Sequence, residues 1–136
     1  LCGHDQVFRR ESCELTYADL TLNHSEPDDP LILGLGPKFR IFSWHNMQVK
    51  SGHPDMRILG YTEECSNHIW RYKDLPIWGI QGHAELSKED VIHLFHEESE
   101  AFEKDGFVIE ELVKMAEPNL EGHKLYDNFI AYCKNH

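Results

Sequence analysis

The 136 residues suffice for one domain and leave no room for two ordinary ones. With 40% hydrophobic and 27% charged residues, the chain has the balance of a globular protein, and aromatic and branched side chains spread along its whole length exclude disorder as the dominant state. A net charge of -11 argues against nucleic acid and against an anionic membrane surface as partners, since both call for a basic footprint. No apolar run approaches the ~20 residues that span a bilayer. The opening Leu1-Cys2-Gly3-His4-Asp5 has neither the basic start nor the apolar stretch of a leader. Cys2, Cys13, Cys65 and Cys133 are irregularly spaced and form no CxxC, so reduced thiols in a cytoplasmic setting are expected.

In chain order, residues 14–22 are rich in Leu, Thr and Tyr and read as a strand ending at the turn-prone stretch Asn23 to Pro30. Residues 38–44 alternate, with Phe39, Ile41 and Ser43 on one face and Arg40, Phe42 and Trp44 on the other. Residues 57–62 and 68–73 are two further short strands. Asp74-Leu75-Pro76 then connects to Ile77–Gln81, whose apolar character fits a strand buried on both faces. Beyond Glu85 the period becomes helical. Ser87 is placed to cap a helix with Glu89 and Asp90 in its first turn; Val91, Leu94, Phe95 and Phe102 form its stripe to about Lys104, and Gly106 ends it. A second helix is predicted from Phe107 to Glu117 with Val108, Leu112 and Met115 or Ala116 inward, stopped before Pro118. A third runs from Asn119 to His136 with Leu125, Phe129 and Tyr132 or Cys133 on one face. Strands first and helices last suggest an α+β order taken alone. Trp44, Trp70 and Trp78 read as sheet-packing residues.

The chemistry-bearing segment is Trp78-Gly79-Ile80-Gln81-Gly82-His83-Ala84-Glu85. A strand ends in glycine, and an imidazole and a carboxylate follow two residues apart, where α/β sheets gather functional groups. His83 could serve as a general base, and Glu85 could fix its tautomer and stabilise the imidazolium. By spacing alone the pattern reads first as a surface histidine beside a helix-capping glutamate, because His-x-Glu is short and common.

The segment resembles the G-[VI]-Q-x-H-P-E signature of class I glutamine amidotransferases, in particular the stand-alone, GMP-synthase-like subgroup. Gly79, Ile80, Gln81, His83 and Glu85 match, while Ala84 stands where proline is usual. Phe39 to His45 is similar to the family's F-x-V-x-x-x-H segment, and Asn46-Met47-Gln48-Val49 is a poorer match to the Gly-Asp-x-V that follows it. The similarity runs in register from about Val7 to about Leu94. It implies a flavodoxin-like, doubly wound α/β sheet, here incomplete on its N-terminal side, with residues 1–136 forming the C-terminal part of one amidotransferase-like domain.

It also implies a mechanism. A cysteine thiolate attacks the glutamine side-chain amide, a γ-glutamyl thioester forms, ammonia leaves and water completes the hydrolysis. Leu1-Cys2-Gly3-His4-Asp5 looks like the remains of the nucleophile elbow. Cys2 is the thiol near the required position; if Gly3-His4 sets the register instead, Leu1 occupies that position and the site is silent. By the resemblance Cys2, His83 and Glu85 are catalytic, and His45 and Asn46 line the substrate pocket. No metal or organic cofactor is called for. The implied partners are glutamine or another γ-glutamyl compound, with an acceptor domain or subunit for the ammonia. Because most of the first half of such a domain has no counterpart here, little glutaminase activity is expected of these residues in isolation.

Two other readings compete. A catalytically silent amidotransferase-like module for binding or regulation would explain Ala84 and the irregular elbow. A metal-binding module would use His93 and His96, three residues apart on a helix, with Glu97 and Glu100 nearby, although no HExxH or paired-cysteine pattern supports it.

Overall fold

The chain was analysed as a computed structural model that describes residues 6–50 and 52–136. Cys2, the expected nucleophile, lies outside the described residues. Five strands form one sheet: β1 (Val7–Leu22), β2 (Lys38–Val49), β3 (Met56–Tyr61), β4 (Ile69–Tyr72) and β5 (Trp78–Ile80). Their spatial order is β2-β1-β3-β4-β5, and every neighbouring pair among the described strands is antiparallel. Four helices follow, α1 (Lys88–Glu97), α2 (Ser99–Lys104), α3 (Ile109–Met115) and α4 (Leu120–Asn135).

The alternation expected of residues 38–44 is present, and it divides the interior into two cores. Phe39 and Ile41 face Leu20, Leu22, Leu31, Leu59, Ile69 and Leu125 of α4. Phe42 points the other way, into Tyr17, Val91, Phe95, Phe102, Ile109 and Leu112. Phe42, Phe95 and Phe102 meet edge-on, with Phe42 and Phe95 centroids 5.9 Å apart and Phe95 and Phe102 5.6 Å apart, an arrangement the ring quadrupole favours. Strand β2 is therefore covered on both sides while remaining at the edge of the described sheet.

Between β1 and β2 the pairing slips. Arg9 faces Met47 and Glu14 faces His45, so Arg10, Glu11, Ser12 and Cys13 stand opposite Asn46 alone. Such a bulge bends the strand and re-aims its side chains. It carries Arg10 back over Glu14 at 3.4 Å and onto the Gln48 amide oxygen at 2.5 Å.

Some expectations shift. Strand β5 is half-buried, with β4 as its sole partner among the described strands, so it is not the doubly covered strand that its apolar run suggests. Its backbone is closely approached nonetheless. A Cβ on Gly79 would sit 2.2 Å from the Trp70 ring, which lies across this position from β4, so glycine is required there. The single helix expected from Ser87 to Lys104 is broken by a turn at Glu98, and the break aims Phe102 at Trp44, 5.0 Å between centroids. Gly106, with φ of 90°, ends α2 as its sequence position suggests. Val108 is exposed because it precedes the first turn of α3; Ile109 takes the inward position instead.

The start of α1 follows the expected chemistry. The Ser87 hydroxyl accepts from the Asp90 backbone N–H, and the Asp90 carboxylate accepts from the Ser87 N–H. The Ser87 hydroxyl also donates to the Asp90 carboxylate, and these donations from the Ser87 side chain and backbone hold the Asp90 carboxyl below its ordinary range. Replacing Ser87 by alanine is expected to destabilise the chain by about 1 kcal/mol, read from the denaturation midpoint. An unchanged midpoint would mean that the cap contributes nothing to the folded state.

Candidate active site

Strand β5 ends at Ile80, and the chain turns across the end of the sheet. Gln81 donates its backbone N–H to the His68 carbonyl and its side-chain amide to the Met47 carbonyl. His83 donates its backbone N–H to the Phe42 carbonyl at 2.7 Å. Gly82, between them, is pressed onto β2: a Cβ there would lie 3.0 Å from the Phe42 carbonyl oxygen, the Ile41 side chain and the His68 ring alike. Ala84 is buried in the first core, which pulls the loop inward and leaves the side chains on either side free to reach outward.

His83 and Glu85 then meet. The His83 Nδ1 lies 2.9 Å from the Glu85 carboxylate, while Nε2 lies 3.3 Å from the Trp44 carbonyl oxygen. A neutral ring carries one proton, and the closer, anionic acceptor draws it to Nδ1. Nε2 is then the basic nitrogen. The ring packs near Phe42 and Trp44, with centroids 5.8 and 6.5 Å away, and the His83 side chain retains 31% of its solvent exposure. The arrangement can accept a proton at Nε2 and stabilise the resulting cation through Glu85.

The other sequence-selected residues fall in different places. His45 turns inward from β2, with Nε2 3.4 Å from Glu14 and Nδ1 3.0 Å from the Met47 carbonyl oxygen. Asn46 is exposed and lines a cleft of about 350 Å³ together with Arg9, Arg10, Cys13, Asp105 and Phe107, beneath the β1 bulge. The Cys13 thiol is pushed up, chiefly by burial and then by the Asp105 charge, which keeps it protonated and poorly nucleophilic. Cys65 is fully buried and likewise pushed up by burial. On α1, His93 and His96 are both exposed, and His93 pairs with Glu97 at 3.2 Å. Among the described residues, no three His, Cys, Asp or Glu side chains cluster as metal ligands would.

Two side chains at the site were not singled out from sequence. Asn119, expected as the first residue of the third helix, precedes α4, and its amide donates to the carbonyls of His83 and Leu86, at 2.8 and 3.0 Å. His68 lies beneath Gly82, fully buried, with no hydrogen-bond partner on either ring nitrogen among the described residues. Burial lowers its pKa from the ordinary 6.5 to about 4, with the nearby Glu14 charge opposing the shift. A buried histidine in the bend before a strand has no pattern that marks it out in advance.

Known proteins place this geometry in context. No family model matches the chain. It is 30% identical over 117 residues to a subunit of the glutamine-hydrolysing GMP synthase of Haloarcula marismortui, covering 86% of this chain and 46% of that protein. The corresponding subunit of Methanothermobacter thermautotrophicus is 22% identical over an alignment covering 98% of this chain and 58% of the relative. Among solved structures, a glutamine amidotransferase from Thermotoga maritima superposes with a TM-score of 0.74 at 16% identity, over 93% of this chain and 53% of the other. One from Methylobacillus flagellatus gives 0.63 at 20% identity, over 92% and 55%. The chain thus spans about half the length of the proteins it matches, and its fold is that of part of theirs, as the signature around His83 led one to expect. No described helix is long and apolar enough to cross a membrane.

Proposed function

Given that the chain is a homologue of the class I glutamine amidotransferases over about half of their length, we propose that it forms the His–Glu side of a site that hydrolyses the side-chain amide of glutamine. The observation that carries this reading is the His83–Glu85 pair, 2.9 Å apart, with Nε2 as the nitrogen left to take a proton. In the proposed reaction His83 accepts the Cys2 thiol proton through Nε2, and the thiolate adds to the amide carbon. The imidazolium returns the proton to the departing nitrogen, the C–N bond breaks and ammonia leaves. Water, deprotonated by His83, then cleaves the γ-glutamyl thioester to glutamate and restores the thiol. Glu85 holds the ring and stabilises its cationic form in both halves. His45 faces Glu14, and Asn46 opens onto the separate cleft beneath the β1 bulge, so neither supports a substrate-lining role beside His83.

The relatives named as one subunit of a glutamine-hydrolysing GMP synthase motivate a separate acceptor domain or chain to receive the ammonia, and glutamine as substrate. A cytoplasmic setting belongs to the same proposal. The test, made on protein that carries the whole amidotransferase domain, is covalent labelling by an electrophilic glutamine analogue, located by peptide mass mapping, alongside ammonia release from glutamine. Labelling at Cys2 that disappears in the Cys2→Ala variant, with release that disappears in parallel, is the expected result. A protein that neither labels at Cys2 nor releases ammonia would be a silent relative of these enzymes.

A further inference from the structure

We propose that Asn119 is the positioning residue for the His83–Glu85 pair, and that Gly122 exists to seat it; the catalytic importance of this rests on the function proposed above. Asn119 is 2% exposed and stands at the N-cap of α4, the place where an asparagine side chain ordinarily turns back to accept from the first backbone N–H groups of its helix. It makes no such bond. Its Nδ2 instead presents both hydrogens outward from the helix, one to the His83 carbonyl and one to the Leu86 carbonyl. Those carbonyls bracket Ala84 and Glu85. One side chain therefore fixes both ends of the four-residue segment that carries the imidazole and the carboxylate.

The opposite face of the segment is held independently, by the His83 N–H on the Phe42 carbonyl. Between β2 on one side and α4 on the other, the His83 backbone is held at both its N–H and its carbonyl, with the ring beside Glu85. The amide group suits this task because two carbonyl oxygens must be met by two donors, and NH₂ supplies both from one atom.

Gly122, one turn into α4, shows that this placement is selected over ordinary helix packing. A Cβ there would lie 2.3 Å from the Asn119 Oδ1 and 2.6 Å from its Cγ and Nδ2. Glycine inside a helix weakens it relative to alanine, so the open space serves the asparagine and not α4. Farther along the same helix, Asn128 donates to the Leu31 and Leu33 carbonyls in the same manner and the Lys124 ammonium to the Gly34 carbonyl, so α4 serves as a clip for two loops.

The experiment is nuclear magnetic resonance of the full chain, with the ¹⁵N signals of the His83 ring reporting its tautomer at about pH 8.5, above the ordinary imidazole range. In the unaltered protein the Nδ1–H form is expected to dominate, and the Asn119 side-chain amide protons are expected to exchange on the order of 100-fold more slowly than those of exposed Asn46. Asn119→Asp keeps the shape but sets oxygens against both carbonyls; the His83 signals should move to those of a tautomer mixture. Gly122→Ala should shift the same signals in the otherwise unaltered protein and leave them where they are in an Asn119→Ala background, where the clash is gone. Amide protons on Asn119 that exchange as fast as those of Asn46, or a Gly122→Ala variant with unshifted His83 signals, overturns the proposal even if Asn119→Asp fails to fold. Loss of the tautomer without any glutamine hydrolysis by the unaltered protein would leave the positioning role standing and remove only the catalytic reading. Unaltered hydrolysis and tautomer in Asn119→Asp would do the reverse.

Discussion

In the whole amidotransferase domain, His83→Ala is expected to lower the proposed glutamine hydrolysis by about 10²–10⁴-fold, the range that a positioned general base supplies. The loss should fall on kcat, with KM for glutamine changing little, because the ring acts on protons in flight and the resting amide gains nothing from it. Two features make the effect large. The ring is fixed through Nδ1 by a carboxylate at 2.9 Å, and its backbone N–H is fixed on Phe42. Glu85→Gln should cost less than His83→Ala, since a neutral amide oxygen still accepts from Nδ1–H but stabilises the imidazolium less well. Steady-state ammonia release measures both. A His83→Ala variant with an undiminished rate would end the base assignment.

The second large effect is loss of stability in acid. His68 is fully buried and prefers its neutral form, its pKa lowered by burial to about 4 from 6.5. The unfolded chain therefore binds a proton at this residue at a higher pH than the folded chain does. Stability from His68 is complete above about pH 6.5 and is lost as pH falls toward 4, by about 3 kcal/mol over that window at 1.36 kcal/mol for each unit of difference. Glu14 acts in the same direction at lower pH. Burial works to raise its carboxyl, but His45, whose Nε2 lies 3.4 Å away, and then Arg10 prevail and hold it below its ordinary 4.5. Its contribution is present above 4.5 and disappears as the pH drops further. Denaturant melts between pH 7 and pH 4 are expected to show the decline, and His68→Leu should flatten its upper part. A decline of equal size in that variant would assign the acid sensitivity to other groups.

Local pattern reached the strands and caps with good fidelity because their causes are local. Alternation along Phe39–Trp44 reports the two faces of β2, and Ser87 with Asp90 reports a helix start. The break at Glu98 was not legible, since it answers to Trp44, more than fifty residues away. Strand β5 was misread as doubly buried because an apolar run states what a segment can tolerate and not which neighbours are present. At the site, His83 and Glu85 lie two residues apart, so their pairing could be read from the chain itself. The partners that hold them, Phe42 and Asn119, come from distant segments joined only by folding. Asn119 even carries a misleading signal, since an asparagine after proline at the head of a helix has a more familiar use.

The double covering of β2 has a mechanical consequence. One strand is the shared wall of both interior compartments, and its Phe42 carbonyl also tethers the loop bearing His83. Neither compartment can loosen while its neighbour stays tight, so heat should melt both in a single cooperative step. Fluctuations that reach the imidazole must then engage the whole wall, which confines it to small excursions below the melting temperature.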